Sequence, residues 1–221
     1  ATWRAYSAGR ASIELDGRLV GAPEGADYSV TETTTRGRIT GATLAAPQGS
    51  VGQIDLRLNL DGAPLVPDKS ADFRIDGSFS DARTDEQSIG VGTVDLTGSI
   101  VRAPAGSTSP VAHLTTRGRI GGSRIRSEPV DIGQLDLRLL VDGAPMVQGE
   151  PLDFDIDGTL AEATYGDHTA GRASVDLDGT LIAAAPEADH PVATFTTRGT
   201  IGGSRLKTSG FEFGGLRADI D

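Results

Sequence analysis

Apolar and polar residues alternate one for one along most of this chain. Val94, Leu96 and Ile100 are interleaved with Thr93, Asp95, Thr97 and Ser99. Leu135, Leu137, Leu139 and Val141 alternate with Gln134, Asp136 and Arg138, and Phe154, Ile156 and Leu160 with Asp153, Asp155 and Asp157. A strict period of two predicts strands with one apolar and one wet face, and no segment sustains a helical period. About eleven strands are predicted, beginning near Ala11, Val30, Gln53, Asp72, Thr93, Ala112, Gln134, Asp153, Ser174, Ala193 and Phe211. Between them lie APEGADY (Ala22 to Tyr28), RAPAGSTSP (Arg102 to Pro110) and APEADHP (Ala185 to Pro191), all of turn composition.

The alternation is written in a repeat. TTRGRITGAT at Thr34 returns as TTRGRIGGSR at Thr115 and TTRGTIGGSR at Thr196, each 81 residues on. SIELDGRL at Ser12, TVDLTGSI at Thr93 and SVDLDGTL at Ser174 keep the same spacing, as do GQIDLRLNLDGAP at Gly52 and GQLDLRLLVDGAP at Gly133. ADFRIDGSF at Ala71 matches LDFDIDGTL at Leu152. The chain is therefore one β-repeat segment, 1–221, with internal repeats over approximately 12–70, 71–151 and 152–221 and sub-units of about twenty residues. About ten residues of each sub-unit are assigned to the strand and ten to the turn.

Glycines punctuate the strands at Gly17, Gly37, Gly77, Gly98, Gly118, Gly158, Gly179 and Gly199. A glycine inside a strand weakens it unless the sheet bends or another group comes close. One glycine per strand at one depth would form a row of bends. The expected architecture is all-β, an elongated repeat sheet curled into a taco-like groove. The alternatives are a closed β-sandwich or a β-solenoid, since buried packing would produce the same alternation.

Composition narrows the functions. The chain has 221 residues, 37% hydrophobic but only 5% aromatic, and a net charge of −11. No basic patch exists to neutralise phosphates, which argues against nucleic acid as a partner. There is no cysteine for a disulfide, thiolate site or nucleophile. No apolar run approaches the roughly 20 residues of a membrane-spanning helix. The first residue is Ala rather than Met, and an internal piece of a longer protein is expected.

Regular glycine-punctuated amphipathic strands, with phrases such as GRITGATLAAPQGSVGQIDLRL, resemble the AsmA-like superfamily of Gram-negative envelope proteins, which includes TamB-type and YdbH-type members. The resemblance lies in pattern over the whole chain. Family members carry an N-terminal membrane anchor and are far longer, departures that an internal fragment would explain. The resemblance implies a non-enzymatic segment of a periplasmic intermembrane bridge whose parent is anchored in the inner membrane. Its groove would shield phospholipid acyl chains between inner and outer membranes, and for TamB-type members the resemblance further implies a link to an outer-membrane β-barrel protein and to outer-membrane protein assembly. Carried over by position, the groove lining falls on Ile13, Leu15, Leu19, Ile39, Leu56, Leu58, Phe73, Ile75, Val94, Leu96, Ile100, Leu114, Ile120, Leu135, Leu137, Leu139, Phe154, Ile156, Leu160, Val175, Leu177, Leu181, Phe195 and Ile201.

Other chemistry is weakly signalled. DFDIDG at Asp153 opens like an EF-hand loop, but its twelfth position is Thr164 where a bidentate Glu is needed, so a strand is the better reading. His113, His168 and His190 lack metal-ligand spacing. No nucleophile elbow, Walker loop or H-E-x-x-H occurs, and the chain is read as no enzyme, with no cofactor and no metal. Arg36, Arg117 and Arg198 fall on the face opposite the apolar residues, where pairs with Asp16, Asp136 or Asp178 are expected. The alternative function is a structural β-repeat of a surface adhesin or filament with a sealed core. A carbohydrate module is disfavoured by the single Trp and three Tyr. Cut strand edges predict edge-to-edge self-association.

Overall fold

The computed structural model describes residues 2–3, 6–104, 107, 109–145, 147–184, 192–208 and 211–221. Twelve strands follow one another: β1 (Thr2–Trp3), β2 (Tyr6–Gly21), β3 (Val30–Ala46), β4 (Gly49–Gly62), β5 (Ser70–Arg83) and β6 (Gln87–Arg102), then β7 (Val111–Ser127), β8 (Val130–Gly143), β9 (Pro151–Tyr165), β10 (His168–Ala183), β11 (Val192–Thr208) and β12 (Phe211–Ile220). They form one antiparallel sheet in which spatial order is sequence order. No strand lies beside any but its sequence neighbours, and no helix occurs among the described residues. β1 is a two-residue stub, so the eleven long strands are those predicted from the alternation.

A single open meander is neither a closed sandwich nor a solenoid, which corrects both alternatives. Among the described residues only Ala71 and Ala103 are buried apolar side chains, and no large side chain is fully buried. The strands are also longer than the ten residues assigned to them, β2 to β11 running to 14–17. The extra length comes from the ends that meet at tight turns. Pro47 and Gln48 alone separate β3 from β4, and β5 turns into β6 on Thr84, whose N–H bonds the Gln87 carbonyl at 2.8 Å and whose hydroxyl accepts the Gln87 N–H at 3.0 Å.

Longer loops gather at the opposite rim. Each of four closes in the same way: the N–H of Ala22, Ala63, Ala103 or Ala144 bonds the carbonyl of Ser29, Ser70, Pro110 or Pro151, at 3.0–3.1 Å. Two of these loops lean on the following hairpin, Pro67 bridging to Arg102 and Gln148 to Ala183, 81 residues apart. The 81-residue period is thus four strands and their connections.

The expected single row of glycines is corrected by the register. Gly17, Gly98 and Gly179 share one level, Gly37, Gly118 and Gly199 the next, and Gly77 and Gly158 a third. These glycines serve close approach. A Cβ on Gly98 would run into the Thr115 carbonyl and stand 2.9 Å from the Phe73 ring; one on Gly179 would meet the Thr196 carbonyl and, at 2.6 Å, the Phe154 ring. Large side chains lie over neighbouring glycines, which tiles a sheet that has no second layer to fill its gaps.

The irregularity in the ladder lies elsewhere. Every strand pair from β2 to β12 skips one row, formed by Gly9, Thr43, Gly52, Asp81, Gly90, Arg124, Gly133, Glu162, Gly171, Arg205 and Gly214, and β4–β5 also skips Val51 and Ala82. Glycines on even strands face non-glycine residues of positive φ on odd strands, from 50° at Asp81 to 55° at Thr43 and Glu162. A left-handed residue breaks the pleat and shifts the in–out alternation by one position. Residues three apart then share a face: a Cβ on Gly41 would stand 3.1 Å from Leu44, and on Gly122 or Gly203 2.8 Å from Ile125 or Leu206. This crease divides each strand into a long limb toward the loops and a short limb toward the tight turns, with apolar side chains of both limbs meeting across it.

Candidate functional site: the apolar face

One level of the ladder shows how the face is made. Ile13, Ile39, Leu56, Gly77, Val94, Ile120, Leu137, Gly158, Val175, Ile201 and Ala218 stand opposite one another from β2 to β12. Two levels toward the loops, and one toward the crease, repeat the arrangement. A further level begins at Leu19 and ends at Phe195. All the lining positions expected from the alternation fall on these levels, on one face. Ile54, Leu60, Phe79, Val141 and Leu152 lie among them and were missed, although the same alternation reaches them.

Beyond the crease the face continues on the short limb through Ala8, Leu44 and Val51, then Ala82, Ile89, Ile125, Ile132, Ala163, Ala170, Leu206 and Phe213. This level was missed because the alternation changes phase at the crease. No position on any of these levels is charged. Toward the loop rim Phe154 and Phe195 stack across β10 with centroids 5.5 Å apart and an interplanar angle of 7°, which the absent side chain of Gly179 permits.

Among the described residues no second layer of strands covers this face, although toward the loop rim Thr33, Ala71 and Thr116 are buried. Mid-sheet residues such as Leu56, Leu96 and Leu137 are half-buried by their lateral neighbours alone. Toward the β2 edge the shielding fails and Ile13, Leu15 and Leu19 are about two-thirds exposed, at 67%, 67% and 66%. The whole chain exposes 14503 Å², against roughly 9,600 Å² for a compact protein of its 22.8 kDa.

The opposite face carries the charge. Arg38 grips Asp55 through two bonds of 2.9 and 2.7 Å, and 81 residues on Arg119 grips Asp136 at 3.3 and 2.7 Å. The hydrogen bond from Arg38 holds the Asp55 carboxyl below the usual carboxylate range, and its return raises the Arg38 guanidinium. Arg198 bonds Asp178 at 2.8 Å, as expected, and Arg36 stands opposite Asp16 in the ladder. The bidentate partners in β3 and β7 are nevertheless Arg38 and Arg119 rather than Arg36 and Arg117, because Asp55 and Asp136 sit diagonally from them. Thr34–Asp61 at 2.7 Å and Thr115–Asp142 at 2.6 Å repeat likewise, and His113 joins the second pair with its Nε2 3.0 Å from Asp142. The bonds from Thr115 and then His113 hold the Asp142 carboxyl below its ordinary value.

The Asp153–Gly158 segment lies inside β9, with Phe154 and Ile156 on the apolar face, so it has no EF-hand loop. His168 opens β10, and His190 lies outside the described residues. No cluster of acids, histidines and cysteines suited to a metal occurs among the described residues. A cavity of about 540 Å³ at the loop rim is lined by apolar Ala103, Ala112, Ala144 and Val147 together with His113, Asp142, Glu150 and Asp153.

The fold and face define a class: a single-layer antiparallel repeat sheet, charged on one side and apolar on the other. Comparison with protein-family models finds no match, and searches of curated proteins and of solved structures likewise find none.

Proposed function

We propose that this protein is a non-enzymatic segment of a periplasmic bridge between the inner and outer membranes, its apolar face shielding phospholipid acyl chains in transit. On this reading the parent protein is anchored in the inner membrane and engages an outer-membrane β-barrel in outer-membrane protein assembly. The observation that carries the proposal is the uncovered, charge-free apolar face that crosses every long strand. Exposed apolar areas beyond a few hundred Å² mark surfaces that something covers. Acyl chains suit this one because it carries no charge, and its polar groups are a few threonine hydroxyls toward the loop rim, such as Thr33, Thr35, Thr116 and Thr197. Each buried methylene is worth about 0.8 kcal/mol without any specific contact, and a face continuous from β2 to β12 lets a chain slide between equivalent levels.

The test is organic extraction of the purified protein and mass spectrometry of the extract, beside Leu137→Asp and Leu96→Asp. Both side chains are half-buried, so the variants keep the sheet while placing a carboxylate mid-face. Stoichiometric phospholipid in the wild type, lost from folded variants, is the expected result. Absence of lipid from the wild type, or equal lipid in both variants, would overturn the proposal.

A further inference from the structure

The charged face carries an order that its own ion pairs do not require. From β3 to β10 one level of the ladder reads Arg38, Arg57, Asp76, Asp95, Arg119, Arg138, Asp157, Asp176: two cations, two anions, and the same again. Arg38 thus stands directly opposite Arg57, Asp76 opposite Asp95, Arg119 opposite Arg138 and Asp157 opposite Asp176. Like charges so placed destabilise a sheet, and strict alternation of sign would avoid them. Within the chain their partners are diagonal or distant. Arg38 and Arg119 turn to Asp55 and Asp136 on the next level. Arg57 and Arg138, 63% and 64% exposed, stand 3.6 and 3.9 Å from Asp76 and Asp157. On the level toward the loops Leu140 lies between Arg117 and Asp155, an apolar side chain 44% exposed among charges.

We propose that the charged face is an interface with a second copy of this chain, packed back to back about a two-fold axis parallel to the strands between β6 and β7. Such an axis keeps each level and reverses strand order, so β3 faces β10, β4 faces β9, β5 faces β8 and β6 faces β7. Arg38 then meets Asp176 of the second copy, Arg57 meets Asp157, Asp76 meets Arg138 and Asp95 meets Arg119. The whole row finds the opposite sign. The level toward the loops agrees: Asp16 meets Arg198, Arg36 meets Asp178, Asn59 meets Asp155, and Leu140 covers the aliphatic stem of Arg74. The level toward the crease sets Asp55 and Asp136 against the hydroxyls of Thr159 and Ser78. Contact ends at the level of Asp61, where the axis would oppose Asp61 to Asp153 and Asp72 to Asp142; the twist of two aligned sheets carries those corners apart. Moving the axis one strand, to between β5 and β6, sets like against like along the row, so the register is specific. The match belongs to the four-strand unit and to neither end of the sheet. It leaves both apolar faces outward, and it does not rest on the function proposed above.

Sedimentation equilibrium tests the interface at physiological ionic strength, where repulsion between two chains of net charge −11 is screened beyond about 8 Å. A reversible monomer–dimer equilibrium is expected. Arg57→Glu and Asp157→Arg each set like charge against like at two symmetry-related contacts, and each should weaken the dimer about tenfold or more. The double variant restores opposite signs and should recover the dimer. β4 and β9 do not touch within one chain, so recovery can come only through the second copy. Asp76→Arg with Arg138→Glu repeats the cycle on β5 and β8 should a first variant misfold in thermal melts. Leu137→Asp, on the apolar face, should leave the dimer intact. A chain monomeric up to about 1 mM, a double variant no tighter than its singles, or a dimer lost in Leu137→Asp and kept in the charge variants would each overturn the proposal.

Discussion

Thr43 gives the crease its sharpest test. It is β-branched, yet its φ is 55°, where the other two copies of the repeat place Arg124 and Arg205 at 52°. A left-handed conformation costs an L-residue about 1–2 kcal/mol, and a β-branched side chain is the least tolerant of it. Asn adopts this region readily, so Thr43→Asn should stabilise the protein by about 1 kcal/mol. Thr43→Gly removes the same strain but loosens the unfolded chain by roughly 0.5–1 kcal/mol, leaving a gain of about half that of Asn. Arg124→Val runs the other way and should cost about 1–3 kcal/mol, the usual toll of a residue forced into a sparse region. Arg126→Val is the control, an exposed strand position two residues on, where the change should stay within about 0.5 kcal/mol. Urea unfolding followed by far-ultraviolet circular dichroism measures all four. Because each strand touches only its neighbours, amide exchange should place the Thr43 effect in β2 to β4 and the Arg124 effect in β6 to β8. A Thr43→Asn protein less stable than wild type, or an Arg124→Val protein as stable as the Arg126→Val control, would refute the crease.

Leu137→Asp, at a half-buried position, should cost about 1–2 kcal/mol, below the 2–5 of a sealed core, and leave a folded protein; complete unfolding in thermal melts would contradict an open face. Gly179→Val sets a side chain against the Thr196 carbonyl and the Phe154 ring, and should lose about 1–3 kcal/mol, more than a valine on the exposed face, in the same denaturation assay. The carboxyl of Asp142 lies below its ordinary value in the folded state, so its contribution is present above the unfolded pKa of about 3.9 and is lost as pH falls through the folded value. Asp142→Asn should therefore flatten the acid limb of the stability–pH curve below about pH 4, and an unchanged limb would count against the Thr115 and His113 bonds. Raising salt to about 1 M should destabilise the sheet by less than about 1 kcal/mol per Arg–Asp pair, since both partners are exposed.

Most of the sheet was legible because alternation is a local signal. Leu135, Leu137 and Leu139 had to share a face whatever β8 paired with, and fixed spacing placed the neighbours in step. The crease was not legible because residue type does not report φ: Asp81, Arg124 and Glu162 look like ordinary exposed strand residues. Its trace is a slip in phase, from Gly122 to Ile125 and from Gly41 to Leu44, three positions where two would continue the pattern. That slip also hid the short-limb apolar residues and put the expected strand starts near Gln53 and Thr93, whereas β4 and β6 begin at Gly49 and Gln87. Strand lengths were underestimated for the same reason. The pattern could not say whether the apolar face was covered, since alternation is blind to a second layer.

Openness changes what stabilises the molecule. A sandwich gains most from burying two apolar faces against each other, whereas here lateral contacts supply what shielding there is: Leu15 over Gly37, Phe73 over Gly98, Leu137 over Gly158 and Phe154 over Gly179. Each overlap depends on an unsubstituted neighbour, which is why glycine recurs among residues otherwise chosen for strand propensity. The arrangement holds the sheet together and still leaves it about 4,900 Å² more exposed than a compact chain of this mass. At about 25 cal/mol per Å², covering even a fifth of that excess with hydrocarbon would be worth roughly 25 kcal/mol before ordering costs. A ladder required only to extend could carry threonine on both faces and avoid that exposure. The apolar face is thus where the proposed function and a purely structural role part company, because only the former requires that the exposed area be covered by hydrocarbon.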